Sequence, residues 1–423
     1  MDLLGEMCYN HFMTKSNRKL RVIFNDSIAN LPSKSLISQG GVSRFAQKFS
    51  KSFNNNFKDI ELLSLVFSID QKNKGVILTE KSGKHTYYKL FYPGKLLSKS
   101  YTKKYTKKEH IKLLSSWVDD VLSLFKEIKP DILFLNGFSL SNWVMLEAAH
   151  KLNIPICIQH AGLWKKELYL FKNSISPSIK RIFSSYEKDV YLKASHQIFL
   201  NEFSRDVFFS IHNIPKNKKT LSKTSIIPLP IDIKKKDKIK IINKKQYNIG
   251  SVARWDGIKN HDAILRLAKY TNKKHIPRYI NVVTMWDKNN LTDFKKNYVK
   301  FIKIINPMPQ EKLINFYKSQ DVIIIPSRFD VSPTVLMEAI SCGKPVIISS
   351  NVGWKSDYIK FGLSKLIISP SASGKTINDT IDELLKNKNK YILGFEKLQK
   401  KIINEHNKKI VFGKYYNIFQ RLS

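Results

Sequence analysis

Cysteine is scarce in this chain of 423 residues, which contains only Cys8, Cys157 and Cys342. The three lie far apart, and none has the close spacing of paired metal ligands. Cys157 falls in an apolar, strand-like run and Cys342 is at the end of a predicted helix, so we expect both to be packed thiols. The sequence therefore argues against a disulfide framework and against a zinc site.

Long apolar runs are also absent, although 42% of the residues are hydrophobic and the mean hydropathy is -0.29. No run approaches the roughly 20 apolar residues that cross a bilayer. The first residues lack the apolar core of a signal peptide, because Glu6, Asn10 and His11 interrupt them. We expect a cytoplasmic protein whose residues 1–19 form a flexible tail.

Acidic residues are few, because 34 Asp and Glu stand against 73 Lys and Arg and give a net charge of +39. Such a chain is attracted to polyanions, whether nucleic acid, an anionic membrane surface or an acidic glycan. The other explanation is a composition bias that scatters Lys, Asn and Ile over the surface without any partner. The sequence leaves both explanations open.

The stretch from Val322 to Gly353 predicts a strand, a loop, a helix and a second strand. Val322–Ile325 is a β-branched run typical of a strand buried in a parallel sheet. Ser332 as N-cap, Pro333 in the first turn and Gly343 after the end predict a helix at about 333–342. One arc of that helix holds Val335, Leu336, Ala339 and Ile340, and the opposite arc holds Thr334, Glu338 and Ser341.

This helix begins where a sheet would present its carboxyl edge, and its first amides, near Ser332, Thr334 and Val335, suit a phosphate. Glu338 lies one turn further and can accept hydrogen bonds from two ribose hydroxyls. Asp330 lies in the preceding loop, and seven residues separate it from Glu338. The pattern predicts a nucleotide site.

A second cluster opens the same half of the chain, where Arg254 follows the predicted strand Tyr247–Ala253 and Lys259 comes five residues later. Two cations fixed at one sheet edge are suited to a leaving nucleoside diphosphate, whose negative charge grows as the glycosidic bond breaks. We therefore expect Arg254 and Lys259 to share one site with Asp330 and Glu338.

The first half of the chain carries two weaker signals. Gly40-Gly41 stands between the strand Leu20–Phe24 and a helix to about Phe53, and a glycine pair lets the backbone approach a ligand closely. His160 follows the strand Ile154–Gln159, at the end of a strand where α/β ligand sites lie. Further predicted elements are strands at 61–67, 87–91, 132–135, 197–200, 280–285 and 301–304 and helices at 107–128, 140–151, 179–193, 310–318 and 412–422.

Two basic stretches have open interpretations. The lysine-dense segment from Pro93 to Lys112, with Tyr101 and Tyr105, suits anionic lipid or single-stranded nucleic acid, or is a solvated loop and helix start. The segment LWKKELYLFKN after Gly162 suits a lipid-linked acceptor, or is a plain interdomain helix.

The second half of the chain resembles the family-4 retaining glycosyltransferases (glycosyl transferases group 1), which have the GT-B fold. Their signature has an acid, seven residues and Glu, then Ala, a small residue, Cys-Gly, a spacer and Pro-Val, as in Asp330 to Val346. The chain departs from it in two places: Asp330 stands where the family normally has Glu, and Trp354 where a second Gly is usual. SIIPLPID at 225–232 resembles the family's last strand and turn before the interdomain linker.

The resemblance implies two doubly wound, Rossmann-like α/β domains that face each other across a cleft. We expect an acceptor-binding domain at 20–235, a nucleotide-sugar-binding domain at 236–405, and a C-terminal helix at 406–423 that crosses back to the first domain. The implied reaction moves a sugar from a nucleotide sugar, a UDP-sugar rather than a GDP-sugar, to a hydroxyl of a glycan or lipid-linked acceptor. Bacterial surface polysaccharide or lipopolysaccharide synthesis is the implied setting, on the inner face of the cytoplasmic membrane if the basic surface contacts anionic lipid.

The resemblance also implies roles for single residues. Arg254 and Lys259 would bind the diphosphate together with the Gly40-Gly41 loop, Glu338 would bind the ribose, and Asp330 and His160 would bind the transferred sugar. The acceptor would attack from the side of the leaving group, whose phosphate takes the proton, so neither a metal nor another cofactor is expected. Two other functions stay open: a GT-B-fold nucleotide-sugar 2-epimerase, and a nucleic-acid-binding protein that would depend on charge alone.

Overall fold

The computed structural model describes residues 18–27, 30–32, 41–69, 75, 77–92, 101, 103–170, 175–232, 237–284 and 301–423. Gly40, residues 1–17 of the tail predicted at 1–19, and the predicted domain boundary between 235 and 236 lie outside these residues. The described residues form two sheets, and we call the part of the chain around each sheet the N-terminal and the C-terminal domain.

The N-terminal sheet has eight strands in the order β3-β4-β2-β1-β5-β6-β7-β8. All neighbours are parallel except the β3–β4 hairpin. The strands are β1 (Leu20–Asp26), β2 (Ile60–Ile69), β3 (Ile77–Ser82), β4 (His85–Tyr92), β5 (Ile132–Asn136), β6 (Ile156–His160), β7 (His196–Phe199) and β8 (Thr224–Ile226). The helices are α1 (Gly41–Asn56), α2 (Lys107–Ile128), α3 (Leu140–Lys151), α4 (Trp164–Glu167), α5 (Pro177–Lys193), α6 (Glu202–His212) and α7 (Lys218–Ser222).

The C-terminal sheet has six strands, all parallel, in the order β11-β10-β9-β12-β13-β14. The strands are β9 (Tyr247–Val252), β10 (Arg278–Val283), β11 (Lys303–Ile305), β12 (Val322–Ile325), β13 (Val346–Ser349) and β14 (Ile367–Ile368). The helices are α8 (His261–Lys273), α9 (Gln310–Ser319), α10 (Thr334–Ser341), α11 (Lys355–Lys360), α12 (Gly374–Lys386), α13 (Lys388–Glu405) and α14 (Lys408–Leu422). This order is the doubly wound pattern, whose direction of winding reverses between β9 and β12.

Helix α2 shows how the local sequence fixes an element. Thr106 accepts the amide of Glu109 at 3.3 Å, and the Glu109 carboxylate accepts the amide of Thr106 at 2.7 Å, which closes a capping box. Lys129 ends the helix in the left-handed conformation. The predicted bounds 107–128 are confirmed because these signals and an amphipathic pattern lie within one contiguous stretch.

The hydrophobic core continues from the C-terminal domain into the N-terminal domain through α14. Phe412 packs edge-on against Phe49 with 5.4 Å between ring centroids, and Tyr415 packs against Phe134 at 5.5 Å. The last helix of the chain is therefore part of the N-terminal domain's core.

Several sequence predictions were wrong in detail. Helix α10 begins at Thr334 with Pro333 at its N-cap, so Ser332 is not the N-cap. The reason is that the carboxylate of Asp330 accepts the Ser332 amide at 3.3 Å and holds this residue in the loop. Ser341, predicted on the polar arc, is buried, and the helices α6 and α7 and the strand β3 were not predicted.

The aromatic residues of the first basic stretch pack inward. Tyr101 contacts Phe183 with ring centroids 5.2 Å apart, and Tyr105 contacts His110 at 5.6 Å. These contacts favour the loop and helix start over a nucleic-acid platform, because the rings are not free to stack on bases. Within the described ranges, no helix is both long and apolar enough to cross a membrane.

Candidate functional site

The loops after β9 and β12 meet at the point where the C-terminal sheet reverses its winding. Lys259, from the first loop, places its Nζ 2.5 Å from Oδ2 of Asp330, from the second. These residues are separated by 71 positions in the sequence. Adjacent parallel strands bring their following loops to the same edge of a sheet, and ligands of doubly wound domains bind there.

The loop that carries Lys259 is held by its own side chains. One carboxylate oxygen of Asp256 accepts the amides of Ile258 at 3.0 Å and Lys259 at 2.9 Å. Asn260 has a φ of 58° and donates to the carbonyl of Pro326 at 2.8 Å. The backbone at Lys259 is therefore fixed to both the β9 and the β12 loops.

The two predicted phosphate-binding cations differ in environment. The Lys259 side chain is 22% exposed. Burial by itself lowers the pKa of Lys259, but the Asp330 carboxylate outweighs it and raises the pKa, so the ammonium stays charged. The Arg254 side chain is 55% exposed, with its guanidinium 3.4 Å from Asp256. Arg254 can therefore move toward an anion, whereas Lys259 is already positioned.

Asp330 is positioned by backbone contacts that need a glycine. The amide of Gly353 donates to the Asp330 carbonyl at 2.9 Å, and a Cβ on Gly353 would lie 2.0 Å from the carbonyl oxygen of Val331. Asp330 also pairs with Val352 in a parallel bridge. Trp354, the departure from the family pattern, is buried and stacks on His406 with centroids 5.3 Å apart.

Glu338 is held from both domains. Its Oε2 accepts the Tyr317 hydroxyl at 2.7 Å, and its Oε1 lies 3.4 Å from Nη1 of Arg44, which is in α1 of the N-terminal domain. Burial and the nearby carboxylate raise the pKa of Tyr317, which therefore stays protonated and keeps donating. The Glu338 carboxylate is thus oriented at the cleft before any ligand binds.

A small pocket lies between the two domains beside these groups. It is lined by Arg44, Phe45, Lys48, Leu229, Pro230, Ile231, Thr334, Met337 and Glu338. The first amides of α10, including those of Thr334 and Val335, have no acceptor within the helix. Positive charge and free amides therefore share this part of the cleft.

His160 lies at the carboxyl end of β6, but its contacts are within the N-terminal domain. Its Nε2 donates to Oε1 of Gln197 at 2.8 Å, and its ring stacks on Phe199 at 4.5 Å. Burial lowers the pKa of His160 to about 4, so the ring is neutral near pH 7. Its buried Nδ1 has no hydrogen-bond partner in the described part of the chain.

Most of the predicted site residues lie in one cluster of the C-terminal domain, and the others lie in the N-terminal domain. Arg254, Lys259, Asp330, Ser332, Thr334, Val335 and Glu338 lie at adjoining loops and one helix start of the C-terminal domain. Gly41 is the first residue of α1, the helix that carries Arg44, while Gly40 lies outside the described residues. His160 is the member whose contacts do not reach this cluster.

Sequence reasoning missed three residues at the cleft. Tyr317 supports Glu338, and Asn201 donates to the Val331 carbonyl at 2.6 Å across the domains. Glu167 lies close enough to Lys259 and Asp330 for their charges to interact. For Glu167 the only sequence signal was its place seven positions after His160, and neither spacing nor residue type distinguishes it from a surface carboxylate.

Comparisons with known proteins find a family and a fold. Residues 232–409 match the family model of glycosyl transferases group 1. A sucrose-phosphate synthase from Thermosynechococcus elongatus superposes with a TM-score of 0.70 at 13% identity, over 96% of this chain and 99% of that one. A trehalose-6-phosphate structure from E. coli bound with UDP-2-fluoro glucose gives 0.66 at 13% identity, over 94% and 98%.

A glycosyltransferase from Rickettsia africae gives a TM-score of 0.63 at 13% identity, over 96% of this chain and 98% of that one. The search of the curated proteins finds no match. At such identities the likeness to solved structures shows the fold, which is GT-B with two Rossmann-like domains.

Proposed function

We infer that this chain, which belongs to the glycosyl transferases group 1 through its residues 232–409, transfers a sugar from a nucleotide sugar with retention at the anomeric carbon. The chain is a glycosyltransferase of the GT-B fold.

The diphosphate of the donor would lie at the winding reversal of the C-terminal sheet. Lys259 is already charged and fixed there, and the exposed Arg254 can approach from the same loop. The free amides of α10 add a partial positive charge at the same edge. These groups stabilise the charge that develops on the leaving diphosphate, so they contribute most in the transition state.

The rest of the donor would be bound by the carboxylates. Glu338, oriented by Tyr317, would accept the two ribose hydroxyls. Asp330 would bind hydroxyls of the transferred sugar once Lys259 turns to the phosphate. His160 would contact that sugar through Nδ1, which is unpaired among the described residues, and this requires a shift of the ring or of the cleft.

The chemical step follows from these roles. The acceptor oxygen forms a bond to the anomeric carbon on the face from which the bond to the diphosphate oxygen breaks. The departing phosphate oxygen takes the proton of the acceptor hydroxyl, so no separate general base is needed. Arg254 and Lys259 supply the positive charge, and we propose that transfer persists after metal ions are chelated.

We propose a UDP-sugar as the donor, with a glycan or lipid-linked acceptor in bacterial surface polysaccharide or lipopolysaccharide synthesis. The E. coli structure bound with UDP-2-fluoro glucose has the same fold, which supports this choice of base. The net charge of +39 supports an anionic partner, either an acidic acceptor or the inner face of the cytoplasmic membrane.

The observation that carries the proposal is the contact of Lys259 with Asp330 at the winding reversal, next to Glu338. Lys259→Ala and Glu338→Ala should each lower transfer by about 100-fold or more, because each removes a charged partner of the donor. Nucleotide released from UDP-sugars would be measured, and donor binding would be followed by thermal shift with UDP, GDP and their sugars.

Lys375→Ala is the matched control, because this lysine is exposed on α12 and pairs with Asp379 on the same helix at 2.7 Å. It should leave turnover unchanged. Near-normal turnover in both site variants would overturn the site assignment. Release of free sugar or an epimer from donor alone, with no transfer to any acceptor, would instead favour a 2-epimerase.

A further inference from the structure

Glu167 belongs to the N-terminal domain, yet its carboxylate interacts electrostatically with the charged pair of the C-terminal domain. It is the last residue of α4, in the segment that follows His160 and Gly162 at the carboxyl end of β6. The charges of Lys259 and Asp330 act on its carboxylate, and its charge acts in turn on Lys259. Carboxylates from both walls of the cleft therefore interact electrostatically with one ammonium group.

The position of the Glu167 carboxylate is fixed. Its Oε1 accepts the amide of Leu163 at 3.0 Å, and a Cβ on Gly162 would lie only 2.8 Å from the same oxygen. The carboxylate thus folds back over the Gly162–Leu163 peptide rather than extending into solvent.

The segment that carries Glu167 is anchored on both sides. The buried Glu187 accepts the amides of Trp164 at 2.6 Å and Lys165 at 2.9 Å, and it accepts a hydrogen bond from His212 at 2.9 Å. On the other side, a Cβ on Gly257 would lie 2.3 Å from the carbonyl oxygen of Leu170. The segment is therefore packed directly against the loop that holds Lys259.

The charge balance of this cluster changes when a diphosphate enters. Lys259 interacts electrostatically with Asp330, Asp256 and Glu167, and a bound diphosphate would add negative charge beside the same ammonium. A partly buried carboxylate that loses its cation and gains an anionic neighbour favours the protonated form. Asp330 can keep hydrogen bonds from the Ser332 amide and from sugar hydroxyls, whereas the described partner of Glu167 is the single Leu163 amide.

We propose that Glu167 is a further residue of the donor site, which takes up one proton when a nucleoside diphosphate binds and then donates a hydrogen bond to the donor. The inference rests on the proposed function, because it needs a diphosphate at Lys259. The proton comes from solvent and returns when the nucleotide leaves, so the reaction consumes none.

The ionisation of the free enzyme agrees with this role. Burial raises the pKa of Glu167 to about 7, with Asp330 and Glu187 adding to the rise and the Leu163 amide and Lys259 opposing it. Below that pH the group is already protonated, so binding takes up no proton there. Above it, binding must raise the pKa further and takes up the proton, so affinity falls as the pH increases.

The direct test is titration calorimetry of UDP and GDP binding at pH 8 in two buffers of different ionisation enthalpy, because the difference in heat gives the protons bound. The wild type should take up about 0.5 to 1 proton per nucleotide more than Glu167→Gln. Between pH 7 and pH 8, its affinity relative to that of Glu167→Gln should fall by a factor on the order of five to ten.

Two further variants test whether proton uptake depends on the position of the Glu167 carboxylate or on the loss of any one negative charge. Gly162→Ala keeps the carboxylate but displaces it, and should reduce the proton uptake as Glu167→Gln does. Glu202→Gln removes an equivalent charge from α6, where the side chain is 79% exposed, and should keep the wild-type uptake.

Equal proton uptake in the wild type and in Glu167→Gln, with nucleotide bound by both, would overturn this inference and leave the glycosyltransferase proposal intact. Failure of UDP, GDP and their sugars to bind the wild type at any pH would overturn the donor site itself, and this inference with it.

Discussion

At the scale of the residue, the charge state and the orientation of the side chains in this cleft are set by their neighbours. Burial would lower the pKa of Lys259, and the neighbouring Asp330 carboxylate raises it and keeps the ammonium charged. The Glu338 carboxylate is oriented by its contacts with Tyr317 and Arg44. Gly353 contributes no side chain, but its lack of one lets the Asp330 loop lie against the next strand.

Gly353→Ala tests that closeness. The added Cβ would meet the Val331 carbonyl oxygen at 2.0 Å and Nδ2 of Asn201 at 2.6 Å, so the loop must move and take Asp330 away from Lys259. We expect a loss of about 1–3 kcal/mol in the free energy of unfolding, as in other overpacked sites, and at least tenfold weaker binding of UDP. Denaturant unfolding and calorimetry measure the two effects.

Gly413→Ala is the control for this substitution. Position 413 lies in α14, where no described residue comes within 4 Å of an added Cβ, so alanine should stabilise the helix by about 0.5–1 kcal/mol. Wild-type UDP affinity in Gly353→Ala would show that the loop tolerates the change and that the close approach does not position Asp330.

At the scale of the element, the helices differ in how much their own sequence decides. Helix α2 is defined by its capping box and pattern, and its predicted bounds were confirmed. Helix α10 was predicted one residue too long at each end, and a local hydrogen bond from the Ser332 amide to Asp330 holds Ser332 in the loop. Helix α14 begins at Lys408, four residues before the predicted start at 412, after Asn407 caps it.

Docking of α14 on the N-terminal domain gives an element-scale prediction. Phe412 lies among Phe45, Phe49 and Phe53 and is 1% exposed, so Phe412→Ala leaves a cavity in the shared core. We expect a loss of about 3–5 kcal/mol in the free energy of unfolding, measured by denaturant titration.

The control for this prediction is Ile410→Ala in the same helix, since Ile410 is 48% exposed. It should change stability by about 0.5 kcal/mol or less. If both substitutions cost the same, α14 would not be packed on the N-terminal domain as described.

At the scale of the whole molecule, the two domains are joined by the chain and by contacts at the cleft. The crossover near Ile231 pairs with Asn407, and the imidazole of His406 donates to the Leu229 carbonyl at 2.8 Å. At the cleft, Arg44 reaches Glu338, Phe203 packs against Phe329 at 5.9 Å, and Asn201 donates to Val331. Among the residues that the structure describes, the polar contacts across the cleft are few, which suits a cleft that opens for ligands.

Asn201→Asp tests the coupling of the domains. The carboxylate can still cap α6 by accepting the Ser204 amide, now at 2.8 Å, but it cannot donate to the Val331 carbonyl. We expect a more open molecule, with a larger radius of gyration in small-angle scattering, and weaker UDP-sugar binding by a factor of about three to ten. The melting temperature should change little, since the cap remains.

Asn201→Ala removes both the cap and the donor, so it should open the molecule and also lower stability by about 1 kcal/mol. If Asn201→Asp scatters as the wild type does and binds donor equally, the contact with Val331 does not hold the cleft.

The sequence by itself determined the elements whose signals are local. The buried strand at 322–325, the helix at 140–151 and the placing of Arg254 and Lys259 after β9 followed from β-branched runs, caps and period. These patterns also predicted the nucleotide-binding edge, because a parallel strand followed by a helix has a defined polarity. The two α/β domains, in contrast, were implied by the resemblance to the glycosyl transferases group 1.

Only the tertiary structure decided which side chains form ion pairs and hydrogen bonds with one another. Lys259 and Asp330 are 71 positions apart, and Arg44 and Glu338 are 294 apart. The contacts of Tyr317, Asn201 and Glu167 depend on the order of strands and on how one domain faces the other. That information is spread over the whole core, because free energies of many weak contacts select the arrangement, and no short stretch of sequence contains it.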